Sequence, residues 1–301
     1  MEQKVTFQSA GLRLSGILHI PDDAKGARRP AMMMLHGFGS NKSSRTCAAP
    51  ARMLESWGYV VLRFDMRGCG ESEGERGRLI CLEQVEDTSN AVTFLAGLPQ
   101  VDPERIGCMG TSFGAAVTVY AAGVDDRIAA AISCCGWGDG DKKFRGQHSS
   151  PQAWARFTDM MERGRREREE GRTLMVPRYD IVPIKPELRN HLASDSIMEF
   201  HFDTVESMFA FRANDVVAKI APRPLLLLHG ARDSVTPTEQ SLDLFALAGE
   251  PTDLHLMAGV DHFMLAESDP LVTAVTKQWL DKHLPAAGSG ANQAARHAAA
   301  Q

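Results

Sequence analysis

One serine lies where the chain could expose a nucleophile. Residues 110–114 read Gly-Thr-Ser-Phe-Gly, after an apolar run at 106–109 and before small residues at 115–122 that favour a tightly packed helix. A strand that passes directly into a helix turns sharply and projects the side chain at the turn, and the flanking glycines are needed because their positions press against each other. The pattern predicts Ser112 as the nucleophile of an acyl-transfer reaction. The alternative is a structural serine that caps the helix.

A serine hydroxyl needs a base to take its proton, and the base needs an anion to hold its tautomer. In a parallel sheet, reactive groups lie on loops beyond the carboxyl ends of the strands. Asp233 follows the apolar stretch 225–228 on such a loop, and His262 follows the stretch 254–257 on another. The chain order Ser, Asp, His is the one that this strand–turn–helix architecture uses. We therefore predict a catalytic triad of Ser112, Asp233 and His262.

Other acids and bases fit these roles less well. Asp261 adjoins His262 but leaves no chain length to fold back onto it. Asp203 and Asp215 stay open as alternatives for the acid. Of the other histidines, His36 and His229 end strands before a glycine, and His255 lies inside a strand. The remaining three, His148, His191 and His201, fall in an inserted segment.

Attack on a carbonyl creates an oxyanion, which two preorganised N–H donors can stabilise. One donor is the amide of Phe113, at the positive end of the helix dipole. We assign the second to Phe38, in the loop 36–42, where glycines let the backbone approach a substrate; the alternative is a glycine-rich connection alone. Trp137 and Phe263 flank the motif loops and are candidate substrate contacts, unless they only pack the inserted segment onto the sheet.

Alternating strands and helices must position these groups. The sequence predicts an opening hairpin at 5–8 and 12–20, apolar strands at 31–35, 59–64, 105–109, 128–135, 224–228 and 252–257, and helices at 48–57, 79–98, 115–122, 239–248 and 270–283. Apolar strands that alternate with helices are typical of a parallel sheet covered on both faces. The fold class is therefore α/β.

The alternation stops in the middle of the chain, over a stretch too long for a plain loop. We predict one core domain formed by 1–136 and 219–285, with an inserted helical cap at 137–218. The small and polar tail at 286–301 is expected to be disordered.

Composition excludes several classes of protein. A formal net charge of -5 over 301 residues argues against a nucleic-acid partner. No apolar run approaches the ~18 residues of a membrane span, and the N-terminus lacks the apolar core of a signal peptide, so a cytoplasmic protein is expected. The six cysteines show no C-x-x-C spacing, which argues against a zinc site and favours reduced, buried thiols.

Taken in order along the chain, these motifs resemble the α/β-hydrolase superfamily over residues 5–285, apart from most of the inserted segment. The motifs that carry the resemblance are His-Gly-Phe-Gly at 36–39, Asp-Met-Arg-Gly-Cys-Gly-Glu-Ser at 65–72, Asp-Pro-Glu-Arg-Ile-Gly at 102–107, the serine turn at 110–114, the loop 230–233 and Asp-His at 261–262. Within the superfamily, the loop 36–42 and the stretch 102–107 resemble bacterial feruloyl/cinnamoyl-type esterases and dienelactone-hydrolase-like enzymes.

The resemblance implies a mostly parallel sheet with antiparallel N-terminal strands, helices on both faces, a small-molecule ester substrate and no cofactor. It gives Asp65 and Arg67 loop-stabilising roles. Dienelactone hydrolases use a cysteine nucleophile where this chain has Ser112, and Ala115 stands where peptidases of the fold usually have a glycine.

The predicted function is a serine esterase that forms an acyl-enzyme. Hydrolysis or acyl transfer at an amide, thioester, lactone or C–C bond stays open, and so does a member of the fold that binds a ligand without turnover. We expect no nucleic-acid or membrane partner and no metal; a homodimer is an open alternative.

Overall fold

A computed structural model describes residues 1–22, 28–267 and 269–286 of the chain. The predicted disordered tail lies outside the described residues, apart from its first residue. In the described part, no helix has both the length and the apolar character needed to cross a membrane.

The described residues form ten strands and ten helices. The strands are β1 (Glu2–Ser9), β2 (Leu12–His19), β3 (Arg29–Leu35), β4 (Val60–Phe64), β5 (Val101–Thr111), β6 (Ile128–Cys134), β7 (Met175–Pro177), β8 (Glu199–His201), β9 (Leu225–Gly230) and β10 (Thr252–Met257). The helices are α1 (Arg45–Ser56), α2 (Cys81–Ala96), α3 (Phe113–Val124), α4 (Gly140–Gln147), α5 (Pro151–Glu169), α6 (Arg178–Ile181), α7 (Phe202–Ala210), α8 (Glu239–Leu247), α9 (Met264–Glu267) and α10 (Pro270–His283). These counts refer to the described residues, which also form short 3₁₀ helices at Pro186–His191, Ala213–Asp215 and Val217–Ile220.

Eight of the strands form one sheet in the order β1-β2-β4-β3-β5-β6-β9-β10. β1 pairs antiparallel with β2, and β2 pairs antiparallel with β4. Every pairing from β4 onward is parallel. The predicted fold, a mostly parallel sheet with antiparallel N-terminal strands, is therefore confirmed.

The strands are apolar because both faces of the sheet are covered. In β3 the side chains alternate between two separate hydrophobic clusters: Met33 and Leu35 face one cluster, and Met32 and Met34 face the other. All four are fully buried. β5 begins at Val101, four residues before the predicted start, because its pairing with β3 shifts register and resumes at Ile106.

The segment between β6 and β9 contains α4 to α7 and a separate two-stranded antiparallel sheet of β7 and β8. Its apolar side chains, among them Phe157, Phe200 and Phe202, join the larger hydrophobic cluster of the main sheet. We call residues 137–218 the insertion. Its division from the core as a cap stays a prediction.

Topology brings the candidate residues to one edge of the sheet. The loops that follow β3, β5, β9 and β10 all leave the carboxyl ends of parallel strands. Carboxyl ends of parallel strands share an edge, so groups far apart in the sequence can meet there.

Candidate active site

Ser112 lies at a strained turn between β5 and α3. Its backbone has φ 53° and ψ -115°, a left-handed conformation that is unfavourable for a residue with a side chain. The turn is crowded: a Cβ atom on Gly110 would lie 2.2 Å from the carbonyl oxygen of Gly114, and one on Gly114 would lie 2.6 Å from the carbonyl oxygen of His36. Both glycines are therefore required by contact, as the sequence pattern predicts.

The serine side chain is not used as a helix cap. It makes no hydrogen bond to the first turn of α3. Instead, the Ser112 backbone N–H donates to the carbonyl oxygen of Cys134 at 2.9 Å, which ties the turn to the end of β6. The hydroxyl is left free to point toward the loops at the sheet edge.

The structure brings the three predicted triad residues together. The distance from Ser112 Oγ to His262 Nε2 is 2.9 Å, and that from His262 Nδ1 to Asp233 Oδ2 is 2.8 Å. The His262 side chain is 3% exposed and that of Asp233 is fully buried. A carboxylate on Nδ1 selects the tautomer with the proton on that nitrogen, so Nε2 presents a lone pair to the serine hydroxyl.

The protein keeps Asp233 ionised. Burial alone would raise its pKa, but the electrostatic interaction with His262 and the hydrogen bonds from His229 and His262 outweigh burial and hold the pKa of Asp233 well below its usual range. Its second oxygen, Oδ1, accepts the backbone N–H groups of Val235 and Thr236 at 2.7 and 2.8 Å. A fixed carboxylate of this kind can both orient an imidazole and stabilise its cation.

Asp261 holds the two loops of the acid and the base against each other. Its Oδ1 accepts the backbone N–H of Ser234 at 2.8 Å and that of His262 at 2.7 Å, and its Oδ2 accepts the Ser234 hydroxyl at 2.8 Å. Sequence reasoning considered this residue only as an unsuitable triad acid. Its bonds to both loops make it a positioning residue, and no local pattern signals that role.

His229, the other buried histidine near the triad, supports Asp233. Its Nδ1 lies 2.6 Å from Ser241 Oγ, and its Nε2 lies 3.1 Å from the Thr236 carbonyl oxygen and 3.3 Å from Asp233 Oδ2. The bond to Thr236 belongs to the loop that follows β9. His229 therefore makes structural bonds to its own loop and to α8.

Cys135 completes a cluster with His229 and Asp233 whose potential ligand atoms lie within 4.8 Å of one another. Burial, reinforced by the charge on Asp233, raises the pKa of the Cys135 thiol well above its usual value. Cys135 could bind a metal only as a thiolate, and both ring nitrogens of His229 are already hydrogen-bonded. The chemistry of this donor set therefore does not favour a metal ion. All six cysteines are free and buried.

The loop that follows β3 lies beside the serine. A Cβ atom on Gly37 would be 3.8 Å from Ser112 Cβ, and Phe38 lines the cavity in front of the serine. In the part of the chain that the structure describes, the amide N–H groups of Phe38 and Phe113 donate to no protein acceptor. Both predicted oxyanion donors are thus unoccupied backbone groups near Ser112.

The His36 ring adopts a single tautomer, and its hydrogen bonds hold this loop in place. Its Nδ1 lies 2.9 Å from the Gly37 carbonyl oxygen, and its Nε2 accepts the backbone N–H of Met66 at 3.2 Å. Accepting at Nε2 requires a neutral ring with the proton on Nδ1. Burial lowers the pKa of His36, which agrees with that neutral state.

Asp65 and Arg67 each brace a loop through an ion pair, as the resemblance implies. Asp65 braces the loop that follows β3 through Lys42, and Arg67 holds the loop that follows β4 against α2. Asp65 accepts the backbone N–H of Lys42 at 2.6 Å and its ammonium group at 2.5 Å. Arg67 donates to Asp87 at 2.6 Å. Neither acid reaches the triad, so both pairs have structural roles.

The cavity beside Ser112 is small and largely apolar. Its solvent-accessible volume is about 40 Å³, which is room for roughly three water molecules. The core contributes Gly37, Phe38, Ser40, Thr46, Thr111, Ser112, Val235, His262 and Phe263, and the insertion contributes Arg178, Val182, Ile184, His191 and Leu192. The ring of Phe263 stacks on that of His191 with 4.9 Å between centroids. The predicted contact residue Phe263 therefore lies in the cavity wall.

Trp137, the other predicted contact, is not among the residues that line this cavity. Its ring is 1% exposed and packs edge-on against Phe211, with 5.3 Å between centroids. Trp137 follows β6, and its indole packs against residues of the insertion instead of facing the cavity. The structure therefore places Trp137 outside the wall of this cavity.

The alternative acids also lie elsewhere. Asp203 faces Arg168 and Arg78 at 3.7 and 4.0 Å. Asp215 belongs to a 3₁₀ helix, and its backbone N–H bonds to the Arg212 carbonyl oxygen. The structure leaves Asp233 in contact with the base.

Sequence reasoning missed Arg178, which joins the insertion to the loop of Phe38. It donates through Nη1 to the Ile197 carbonyl oxygen at 2.8 Å and through Nη2 to the Phe38 carbonyl oxygen. Burial lowers its pKa to about 10. A single arginine in an irregular segment has no periodicity or motif that could have signalled this contact.

Further contacts fasten the insertion to the same loop. The Ile197 N–H donates to the Gly39 carbonyl oxygen at 2.9 Å, and Asn41 Nδ2 donates to Asp195 Oδ1 at 2.7 Å. The rings of Phe38 and Phe200 stack with 4.1 Å between centroids. The insertion therefore helps to set the conformation of the loop next to Ser112.

Sheet topology and the sharp serine turn define an α/β hydrolase. Residues 26–269 match the family model Hydrolase_4, described as serine aminopeptidase, S33. The chain belongs to this family, which confirms the predicted superfamily.

Relatives with described activities span most of the chain. Thiohydrolase aneE of Aspergillus aculeatus is 31% identical over 260 residues, which are 79% of each chain. The crystal structure of the α/β hydrolase GrgF of Penicillium sp. sh18 has a TM-score of 0.77 and 25% identity, and covers 94% of this chain and 99% of its own. Est1E of Butyrivibrio proteoclasticus, solved with ferulic acid, has a TM-score of 0.67 and 21% identity, and covers 93% of this chain and 98% of its own. The likeness to Est1E concerns the fold alone.

Proposed function

We propose that the protein is a serine hydrolase that cleaves a carboxylic ester through an acyl-enzyme. The observation that carries the proposal is the continuous chain of contacts from Ser112 through His262 to Asp233, at the wall of a small cavity. The components needed for acyl transfer are a hydroxyl, a base, an orienting anion and free backbone donors.

In the proposed mechanism, Ser112 Oγ attacks the ester carbonyl while His262 Nε2 takes the hydroxyl proton. Asp233 stabilises the resulting imidazolium, and the amides of Phe38 and Phe113 donate to the oxyanion. Collapse breaks the bond to the alkoxy group, which leaves as an alcohol with the proton from His262. Water then attacks the acyl-enzyme with His262 as base, and the acid and free Ser112 are regenerated.

We propose that the insertion acts as a cap that shapes the acyl pocket. Five of its residues contribute to the cavity wall, as given above. Its contacts with the loop of Phe38 support the same role, because movement of the insertion would also move a proposed oxyanion donor. A polar substrate group in this setting would meet a low-dielectric wall, where electrostatic interactions are stronger than in water.

Acyl transfer from a thioester is the second candidate. Related proteins are named a thiohydrolase, an acyltransferase and polyketide transferases. The triad serves both reactions equally.

The test is the Ser112→Ala variant with p-nitrophenyl acetate as substrate. We expect kcat to fall on the order of 10⁴–10⁶-fold, because the nucleophile acts together with its base. Wild-type rates in this variant would refute the assignment.

Adding an alcohol or thiol acceptor to the wild-type reaction separates hydrolysis from transfer: a transferase forms a new ester or thioester at the expense of free acid. Failure of a fluorophosphonate to label Ser112 would favour a ligand-binding protein without turnover.

A further inference from the structure

Arg178 gives the cavity a charge that the proposed mechanism does not use. The residue opens α6, and only 3% of its surface is exposed. Among the described residues that line the cavity, it alone carries a permanent positive charge. A pKa of about 10 keeps the guanidinium protonated at neutral pH. The site therefore contains a buried cation close to the loop of Phe38.

That cation has no anionic partner in the part of the chain that the structure describes. Its two acceptors, the carbonyl oxygens of Ile197 and Phe38, are neutral, and Nε of Arg178 makes no hydrogen bond there. A guanidinium has five N–H donors, so most of them stay available. Burying a charge is costly unless an opposite charge compensates it.

We propose that the site takes acyl groups that carry a carboxylate, which pairs with Arg178. This inference rests on the proposed acyl transfer at Ser112 and names its substrate class: the monoester or monothioester of a short dicarboxylic acid. The small accessible volume of the cavity, about 40 Å³, favours a short acyl chain. Guanidinium and carboxylate groups pair through two parallel hydrogen bonds.

Aromatic rings hold the guanidinium in place for this contact. Its central carbon lies 5.3 Å from the ring centroid of Phe38 and 5.9 Å from that of Phe200. Such faces attract a cation without neutralising it. The charge is thus oriented beside the proposed oxyanion donor yet remains unbalanced.

The experiment compares two esters of the same shape and different charge, monoethyl succinate and ethyl 4-methylpentanoate, by titration of the acid released at constant pH. We expect wild-type kcat/KM to favour monoethyl succinate by roughly 10- to 100-fold, the range for a hydrogen bond between charged groups. Arg178→Gln should abolish the preference, and Arg178→Lys should retain part of it, because lysine keeps the charge but not the planar fork.

Asn41→Ala serves as the matched control. Asn41 fastens the same loop through Asp195 but does not contact Arg178. If Arg178 only braced the loop, both variants would lower kcat/KM for the two esters by equal factors. The inference requires Arg178→Gln to change the ratio between the esters and Asn41→Ala to leave it unchanged.

Binding supplies a readout that does not depend on turnover. Isothermal titration of the Ser112→Ala variant with monoethyl succinate should detect binding that the Ser112→Ala/Arg178→Gln double variant lacks. Equal kcat/KM for the two esters, with turnover that needs Ser112, would overturn the inference and leave the proposed function intact. The absence of both hydrolysis and binding of monoethyl succinate would also overturn the inference. Turnover independent of Ser112 would instead overturn the proposed function.

Discussion

Replacing Lys143 by methionine should stabilise the protein, and the gain should shrink as the pH rises. Lys143 lies in α4 with its side chain buried, and its Nζ has no hydrogen-bond partner within the described residues. The nearest groups are aromatic faces: Nζ lies 3.8 Å from the ring centroid of Phe144 and 5.3 Å from that of Trp137. Burial lowers the pKa of Lys143 to about 7, and only the Cys81 thiol opposes that effect.

The size and sign of the effect follow from proton linkage. An unfolded lysine has a pKa of about 10.4, so between pH 7 and that value the unfolded chain binds the additional proton. Stability then rises with pH by ~1.4 kcal/mol per unit. At pH 7 the folded state loses about 4 kcal/mol relative to a residue that does not titrate, and at pH 9.5 about 1.3 kcal/mol. Lys143→Met should therefore stabilise by roughly these amounts.

Urea unfolding at pH 7.0, 8.0, 9.0 and 9.5, under reducing conditions, measures the difference between Lys143→Met and wild type. Comparison with wild type at each pH cancels the titration of other groups. Lys142→Met is the control, because Lys142 is exposed and its pKa is raised by the hydrogen bond to Asp243. A difference in the free energy of unfolding that is the same at pH 7.0 and 9.5 would show that Lys143 keeps an ordinary pKa and would refute the reasoning.

Two further substitutions test how the site is held. Asp261→Ala should lower kcat by about 10- to 100-fold through a displaced His262, far less than the ~10⁴-fold loss expected for Asp233→Asn; equal losses would contradict the positioning role. Gly114→Ala would place a Cβ 2.6 Å from the His36 carbonyl oxygen, so we expect a lower thermal midpoint and loss of activity together. A Gly114→Ala protein with wild-type stability and kcat/KM would show that the turn tolerates a side chain.

The parts of the site that the sequence predicts are those that follow from short-range sterics or from sheet topology. Crowding at Gly110 and Gly114 is local, so five residues suffice to indicate the turn. Asp233 and His262 are separated by 29 positions, but both follow apolar strands of one parallel sheet, and such strands end at a common edge. The alternation of apolar strands and helices indicates that edge before any contact is known.

Contacts made by the insertion could not be predicted in the same way. Arg178 lies in a segment of short strands and single helical turns, where neither a period of 2 nor one of 3.6 constrains which side chain faces the core. Trp137 shows the converse error: it adjoins a motif loop in the sequence, yet its ring packs against Phe211. Proximity along the chain gives no direction for a side chain outside regular structure.

If the proposed function and the proposed role of Arg178 hold, substrate selection and oxyanion stabilisation are physically linked. Arg178 lines the cavity and also donates to the Phe38 carbonyl oxygen, while the Ile197 N–H bonds to Gly39 in the same loop. Because of these hydrogen bonds, movement of the insertion would also move the loop of Phe38. A substrate carboxylate that pairs with Arg178 would hold the insertion, and with it the loop of Phe38, in place during the transition state, when the oxyanion donors act. The choice of acyl group would therefore affect kcat as well as KM.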